Sequence, residues 1–141
     1  MPNEAEMKQN RVWIVVLVLA LFLSACGSSK PASDPVAVLE ALEAAHNAKN
    51  PDGVAELYAE DGYEVNGMGT FTGRDEIREL YSQVVNIFSL DCRNYQADGT
   101  KVTYECVLTL YSNNSKQGER YDAVVEGGLI KSNTLTGTFN P

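Results

Sequence analysis

Apolar residues recur at helical spacing in two stretches that follow residue 33. The first stretch runs from Asp34-Pro35 to Lys49-Asn50, and a capping residue before proline is typical of a helix start. The same signal recurs at Asn50-Pro51 and predicts a second, short helix that ends near Tyr58. The apolar face of the first helix comprises Val38, Leu39, Leu42, Ala45 and His46.

A glycine-rich segment then separates the second helix from a third. The alternating run from Tyr63 to Asn66 predicts a strand, Gly67-Met68-Gly69 predicts a turn, and residues 70–72 predict a short returning strand. A helix follows Gly73, with carboxylates in its first turn, where they suit the helix dipole. Its apolar positions are Ile77, Leu80, Tyr81, Val84 and Val85.

Beyond Asn86 the apolar positions alternate, which predicts strands. In the first strand the alternation places Cys92 inward and Tyr95 outward. A hairpin turn is predicted at Ala97-Asp98-Gly99-Thr100, and residues 113–118 form a polar loop. The last strand runs from Leu129 to Phe139. Helices followed by an antiparallel meander predict an α+β fold, in which N-terminal helices pack on a strongly curved antiparallel sheet.

The first 33 residues predict an export signal and a tether. Lys8 and Arg11 precede an apolar run from Val12 to Leu23, which is shorter than the roughly 20 residues of a membrane-spanning helix. The run ends in Leu23-Ser24-Ala25-Cys26, which is typical of a signal-peptide cleavage site and resembles the lipobox of bacterial lipoproteins.

The resemblance to the lipobox implies a signal peptide over residues 1–25 and a lipid attached to Cys26, which becomes the new N-terminus. Residues 26–33 then form the lipidated cysteine and a flexible tether. The alternatives are a plain secretory signal and an uncleaved anchor helix. All three place the domain on the extracytoplasmic side of a membrane, in the cell envelope.

The charge and the residue types present exclude several classes of function. The chain has a net charge of −8 and no cluster of Lys or Arg, so nucleic acid is not an expected partner. With a single histidine and no clustered Cys/His spacing, the sequence predicts no zinc site. It contains neither a phosphate-binding glycine loop nor a dinucleotide fingerprint, so no cofactor is expected.

Two cysteines remain once Cys26 bears lipid. Cys92 and Cys106 lie on the two arms of one predicted hairpin and share its inward face. Neighbouring strands supply the separation that a disulfide needs, and an extracytoplasmic compartment is often oxidising. We therefore expect a structural disulfide, with two buried free thiols as the alternative. A catalytic thiol is the least favoured, because no activating cation is near in sequence.

Two segments together resemble the nuclear transport factor 2-like superfamily, and within it the SnoaL-like branch. They are Leu57-Tyr58-Ala59-Glu60-Asp61-Gly62 and Gly69-Thr70-Phe71-Thr72-Gly73-Arg74-Asp75-Glu76-Ile77. The resemblance covers residues 34–141. It implies a cone, with helices against a bent sheet and a pocket between them. Members of this superfamily include isomerases, dehydratases, polyketide cyclases and domains without known catalysis.

The resemblance directs attention to polar groups inside the cone, because enzymes of the superfamily generally place a carboxylate or histidine there beside a hydrogen-bond donor. Strict alternation turns Asp91 and Glu105 outward, unless a bulge reverses it. His46 is therefore the leading candidate for a general base or a ligand-orienting group; the alternative is a packed histidine with one hydrogen bond. Further candidate pocket residues, each of which ordinary packing could also explain, are Tyr58, Tyr63, Met68, Phe71, Tyr81 and Tyr104.

Three functional hypotheses follow. The first is a lipid-anchored, non-catalytic module that binds a small apolar ligand or an envelope protein, since no inward carboxylate constellation is evident. The second is a SnoaL-like lyase, isomerase or hydrolase that uses His46 with a pocket tyrosine. The third is a structural role with a filled core. The resemblance also implies a possible homodimer through the outer sheet face, where Val107, Val124 and the threonine-rich last strand would lie.

Overall fold

The computed structural model describes residues 34–141. The predicted signal peptide, Cys26 and the tether therefore lie outside the described residues. Three helices are present: α1 (Pro35–Asn47), α2 (Pro51–Glu56) and α3 (Gly73–Val84). The six strands are β1 (Tyr58–Asn66), β2 (Gly69–Thr72), β3 (Phe88–Asp98), β4 (Lys101–Leu110), β5 (Lys116–Glu126) and β6 (Leu129–Phe139). Within residues 34–141 no helix is long and apolar enough to cross a membrane.

The helices begin where the capping signals predict. The Asp34 side chain accepts a hydrogen bond from the Val36 backbone N–H, and the Asn50 side chain accepts one from Gly53 N–H, each at 3.0 Å. The second helix is shorter than predicted, because Tyr58 opens β1 instead of ending α2. Tyr58 pairs with Ile130 of β6, so pairing with a distant strand decides the conformation of this residue.

The six strands form one sheet in the order β2-β1-β6-β5-β4-β3. The sheet is mixed and not antiparallel throughout, because β1 and β6 run parallel. The other four pairs are antiparallel, as predicted. Register shifts interrupt the β1–β6, β3–β4 and β5–β6 pairs. Such bulges bend strands and increase their twist, which accounts for the curvature of the sheet.

A bulge in β3 corrects the predicted orientation of Tyr95. Between Arg93 and Gln96, two residues of β3 lie opposite one residue of β4, and Asn94 takes a positive φ of 58°. The extra residue turns Tyr95 inward, where its ring stacks on Tyr104 with centroids 5.4 Å apart. The hairpin turn that follows is also tighter than predicted, because only residues 99 and 100 lie outside the two strands.

The helices cover one face of the sheet and form the core with it. The residues with the least exposed side chains include Leu39, Val54, Tyr58, Ile77, Val102 and Ile130. Cys92 and Cys106 lie directly opposite each other on β3 and β4 and form the predicted disulfide. This bond links the edge strand β3 to the next strand of the sheet.

The outer face of the sheet offers less open apolar surface than the sequence suggests. Val107 is only 6% exposed, and Val124 is half-buried. The Phe139 ring lies where a Gly118 side chain would project, and the Arg120 guanidinium lies 5.0 Å from the centroid of that ring.

Candidate functional site

A cavity of about 300 Å³ lies between α3, the end of α1 and the sheet. Its wall combines apolar side chains with a few acidic and aromatic ones. A void of about 20 Å³ shares several of these residues and also includes Tyr104 and Asn133. The residues that line the larger cavity are His46, Glu64, Asn66, Gly67, Met68, Leu80, Tyr81, Val84, Ile87, Phe88, Leu90, Leu108, Glu119 and Tyr121.

Glu64 is a buried carboxylate held by three hydrogen bonds. Alternation along β1 turns it inward, and its residue is only 4% exposed. The hydroxyls of Tyr58 and Tyr81 donate to its Oε2 at 2.6 and 2.8 Å, and Asn66 Nδ2 donates to Oε1 at 3.0 Å. The same alternation turns Tyr63 outward, where it is 41% exposed, so Tyr63 does not line the cavity.

Burial raises the pKa of the Glu64 carboxyl above its ordinary value. The three hydrogen bonds oppose this effect, because they stabilise the ionised form, while the nearby Glu119 raises the pKa further. Burial also raises the pKa of Tyr58 and of Tyr81 well above the ordinary tyrosine value. Both phenols therefore remain protonated donors to Glu64 throughout the physiological pH range.

A second acidic side chain, Glu119, lies on β5. The strand begins at Lys116, so the segment that the sequence predicted as polar loop is partly paired, and Glu119 shares the inward parity of Tyr121. Glu119 is 8% exposed. Gln117 Nε2 donates to its Oε1 at 2.9 Å, and the Tyr121 hydroxyl donates to its Oε2.

His46 is fully buried and makes one hydrogen bond. Its Nε2 lies 2.9 Å from the Phe88 carbonyl oxygen; because a carbonyl can only accept, Nε2 bears the proton and Nδ1 has the lone pair. Nδ1 has no hydrogen-bond partner among the described residues. Burial lowers the pKa of His46, and the bond to Phe88 opposes that effect in part. His46 is thus a neutral hydrogen-bond acceptor.

The predicted catalytic pair of His46 with a tyrosine is not formed. The His46 imidazole stacks on the Phe88 ring, with centroids 5.0 Å apart, and makes an edge contact with the Tyr81 ring, with centroids 5.8 Å apart. No hydrogen bond joins His46 to a tyrosine or to a carboxylate in residues 34–141. A proton relay through His46 therefore has no second member here.

The other predicted pocket residues divide between the cavity and its surroundings. Met68, at 62% exposed, lies at the cavity rim, and Tyr81 lines its wall. Tyr104 borders only the small void and donates to Asn133 Oδ1 at 2.9 Å. Phe71 does not line the cavity, because it faces a separate groove between β2 and α3. Tyr58 does not line the cavity; it lies behind the cavity wall, where its hydroxyl donates a hydrogen bond to Glu64.

Glu64 and Glu119 were missed by the sequence prediction, which found no inward carboxylate constellation. Alternation through Tyr63-Glu64-Val65-Asn66 places either parity inward, so this stretch alone did not decide the face. For Glu119 the signal was present: extending the alternation of Tyr121, Ala123 and Val125 by two residues places it inward. In the described part of the chain, no group of three or more His, Cys, Asp or Glu side chains could hold a metal ion.

The fold, with N-terminal helices on a curved six-stranded mixed sheet, is that of the cystatin-like and nuclear transport factor 2-like class. The sequence profile of the SnoaL-like domain matches residues 38–127, and the chain belongs to this family. No curated protein sequence matches the chain.

Solved structures with a similar fold share little sequence with this chain. An uncharacterized cystatin-fold protein from Novosphingobium aromaticivorans is 17% identical, with a TM-score of 0.65, 74% of this chain and 98% of that one covered. A protein with a ketosteroid isomerase-like fold from Catenulispora acidiphila, in complex with trimethylamine, is 22% identical. Its TM-score is 0.62, with 71% of this chain and 84% of that one covered. A putative polyketide cyclase from Sinorhizobium meliloti is 14% identical, with a TM-score of 0.65 and with 71% of this chain and 94% of that one covered. At these identities the similarity establishes the fold alone.

Proposed function

We propose that this protein is a lipid-anchored, extracytoplasmic binding protein whose SnoaL-like domain holds a small molecule in the cone cavity. The main support is the cavity itself, about 300 Å³, with a largely apolar wall and few polar groups. Ligand sites in proteins typically combine these features. A protein of the same fold has been crystallised in complex with trimethylamine, which offers a precedent for a small-molecule ligand.

The predicted export signal and the disulfide support the proposed location. The lipobox-like sequence before Cys26 predicts acylation, and a diacyl or triacyl group holds a protein at a membrane stably. The bond between Cys92 and Cys106 suits an oxidising compartment, since disulfides are rare in cytosolic proteins. We therefore propose that the domain lies in the cell envelope, attached to a membrane through lipidated Cys26 and the predicted tether.

Binding is favoured over catalysis because the polar groups are already engaged with one another. Both tyrosine hydroxyls nearest to Glu64 donate to the same oxygen of that carboxylate, so neither is aimed at a reacting atom. His46 donates its one proton to the Phe88 carbonyl. The apolar wall formed by Leu80, Val84 and other side chains would supply most of the contact area.

One observation favours an enzyme as the second candidate. Glu64 has a raised pKa inside a cavity, and carboxyl groups of that kind act as general bases near neutral pH. In this alternative Glu64, rather than His46, would abstract a proton from the substrate. A Glu64→Gln variant that turns over every compound of a carbonyl-substrate panel as well as the wild type would exclude it.

Native mass spectrometry of the full chain, produced by secretion and purified in a neutral detergent, tests the binding function. We expect a co-purifying small molecule on the wild type. Val84→Trp would fill the cavity and remove that adduct, whereas Glu60→Gln, on the exposed part of β1, would retain it. Circular dichroism establishes that each variant is folded. An adduct of equal occupancy on Val84→Trp, or no adduct on any form, would contradict the proposal.

A further inference from the structure

We infer that the ligand of this cavity is a small organic cation with N–H groups, such as a primary or secondary ammonium ion. This inference rests on the proposed binding function and specifies the chemistry of its ligand. It follows from the acidic side chains of the cavity, from the unused acceptor sites of these carboxylates, and from the aromatic side chains of the wall.

The charge balance of the cavity is negative. Glu64 and Glu119 both line it, and no Lys or Arg does so within the described chain. The ion pairs in residues 34–141 join Arg78, Arg120 and Lys131 to other carboxylates. A buried carboxylate without a cation is costly. A cationic ligand would remove that cost, whereas an anionic ligand would increase it.

The hydrogen-bonding balance is also one-sided. The Glu64 carboxylate receives three hydrogen bonds and the Glu119 carboxylate receives two, whereas a carboxylate has about four acceptor sites. Both side chains line the cavity. The His46 Nδ1 also lacks a partner among residues 34–141, but it is shielded from solvent and is not counted as a ligand contact. The cavity therefore requires donors from its ligand, and an ammonium ion is a donor without acceptor capacity.

Aromatic side chains complete the site. Tyr81, Phe88 and Tyr121 line the cavity beside the two carboxylates, and aromatic faces attract cations. The volume limits the ligand to a small molecule: a cavity of about 150 Å³ holds benzene, so about 300 Å³ has room for an amine with one ring.

Three probes of nearly equal shape and different charge test the inference: benzylammonium, benzyl alcohol and benzoate. Affinities are measured by isothermal titration calorimetry with the full chain in a neutral detergent, near neutral pH. A salt concentration of about 0.15 M screens the acidic surface and so limits binding of the cation there. We expect benzylammonium to bind at least about tenfold more tightly than benzyl alcohol. Hydrogen bonds to charged groups are stronger than neutral hydrogen bonds by a free energy that corresponds to about this factor. Benzoate should bind weakest.

The variants Glu64→Gln and Glu119→Gln should each reduce benzylammonium affinity about tenfold and leave benzyl alcohol affinity nearly unchanged. Glu60→Gln is the matched control, because it removes the same charge from an exposed site on β1. If the Gln variants fail to fold, the unmodified protein provides a second measurement. His46 is the only histidine, so one Nδ1 nitrogen resonance, measured after removal of any affinity tag, should shift on addition of benzylammonium.

The outcomes of these experiments distinguish an error in the cation inference from an error in the proposed binding function. If benzyl alcohol or benzoate binds as tightly as benzylammonium, the cation inference is wrong and the binding function stands. If the three Gln variants lose affinity equally, the cation binds to the acidic surface and the inference is again wrong. If none of the probes binds, the inference is overturned, and the adduct seen by native mass spectrometry decides whether the binding function falls with it.

Discussion

Replacing Glu64 with Gln should change how the stability of the domain depends on pH. Burial raises the pKa of Glu64 in the folded state, whereas a glutamate in the unfolded chain has a pKa of about 4.3. Between these two values the folded protein holds a proton that the unfolded chain has released. The free energy of unfolding therefore falls as the pH rises through this window. The stabilisation is complete below the unfolded pKa and is lost by the folded pKa.

The size of the effect follows from the shift. Each unit by which the folded pKa exceeds the unfolded one corresponds to about 1.4 kcal/mol. Because Glu64 is only 4% exposed, solvent screens this contribution little. With a urea dependence of about 1–3 kcal/mol/M, a shift of one unit moves the difference between the wild-type and variant midpoints by about 0.5–1.4 M across the window.

Urea unfolding at a series of pH values, from about 4 to about 8, measures this difference. The contribution of His46 is present in both proteins and cancels in the comparison. Tyr58 and Tyr81 titrate far above this range, so they remain donors throughout. Glu60→Gln provides the control, and its difference from the wild type should vary much less with pH.

The expected result is that the wild type loses stability relative to Glu64→Gln as the pH rises. A difference that stays constant with pH would refute the reasoning, because it would mean that burial and the three hydrogen bonds of Glu64 balance. A wild type that gains stability relative to the variant would show that the hydrogen bonds from Tyr58, Tyr81 and Asn66 outweigh burial.

Three further predictions concern other parts of the chain. Replacing Cys92 and Cys106 with Ser should lower the free energy of unfolding in urea by about 3 kcal/mol, because the disulfide closes a loop with a sequence separation of 14. The stability of the wild type relative to His46→Gln should fall as the pH decreases below about 6.5, since the unfolded chain binds a proton that the buried His46, with its lowered pKa, excludes; urea unfolding measures it. Cys26→Ser should abolish incorporation of labelled fatty acid and release the protein from the membrane fraction.

Each of these predictions has an outcome that contradicts it. Equal stability of the oxidised wild type and the Cys92/Cys106 double variant would show that the bond constrains the unfolded chain little. Parallel pH curves for the wild type and His46→Gln would mean that His46 titrates alike in both states. Persistent fatty-acid labelling of Cys26→Ser would place the lipid on another residue.

The parts of the fold that local signals determine were predicted well. Asp34 and Asn50 cap the first two helices as their positions before proline indicate. Alternation beyond Asn86 located the strands, and the shared parity of Cys92 and Cys106 predicted their bond. These features depend on neighbouring residues, so the chain's own pattern is sufficient.

The parts that depend on distant residues were not predicted. The parallel pairing of β1 with β6 joins segments far apart in sequence, and nothing within either strand specifies its partner. The bulge at Asn94 moves Tyr95 to the opposite face through a single extra residue, and one such shift reverses every later orientation.

The candidate site was predicted only in part, because polar residues give no burial signal of their own. Glu64 occupies an inward position that a sequence pattern would assign to an apolar residue. Its burial is acceptable because the hydroxyls of Tyr58 and Tyr81 converge on it, a relation that exists only in three dimensions. His46 was correctly placed inside, but its partner is a backbone carbonyl, which no residue type announces.

The position of β6 between β1 and β5 constrains the order of events during biosynthesis. β1 ends at Asn66 and β6 begins at Leu129, more than half of the described chain later, yet the Ile130 N–H donates to the Leu57 carbonyl at 2.8 Å. A nascent chain that ends before Leu129 therefore lacks the strand that joins the two halves of the sheet. The six-stranded sheet therefore closes only after β6 has been synthesised.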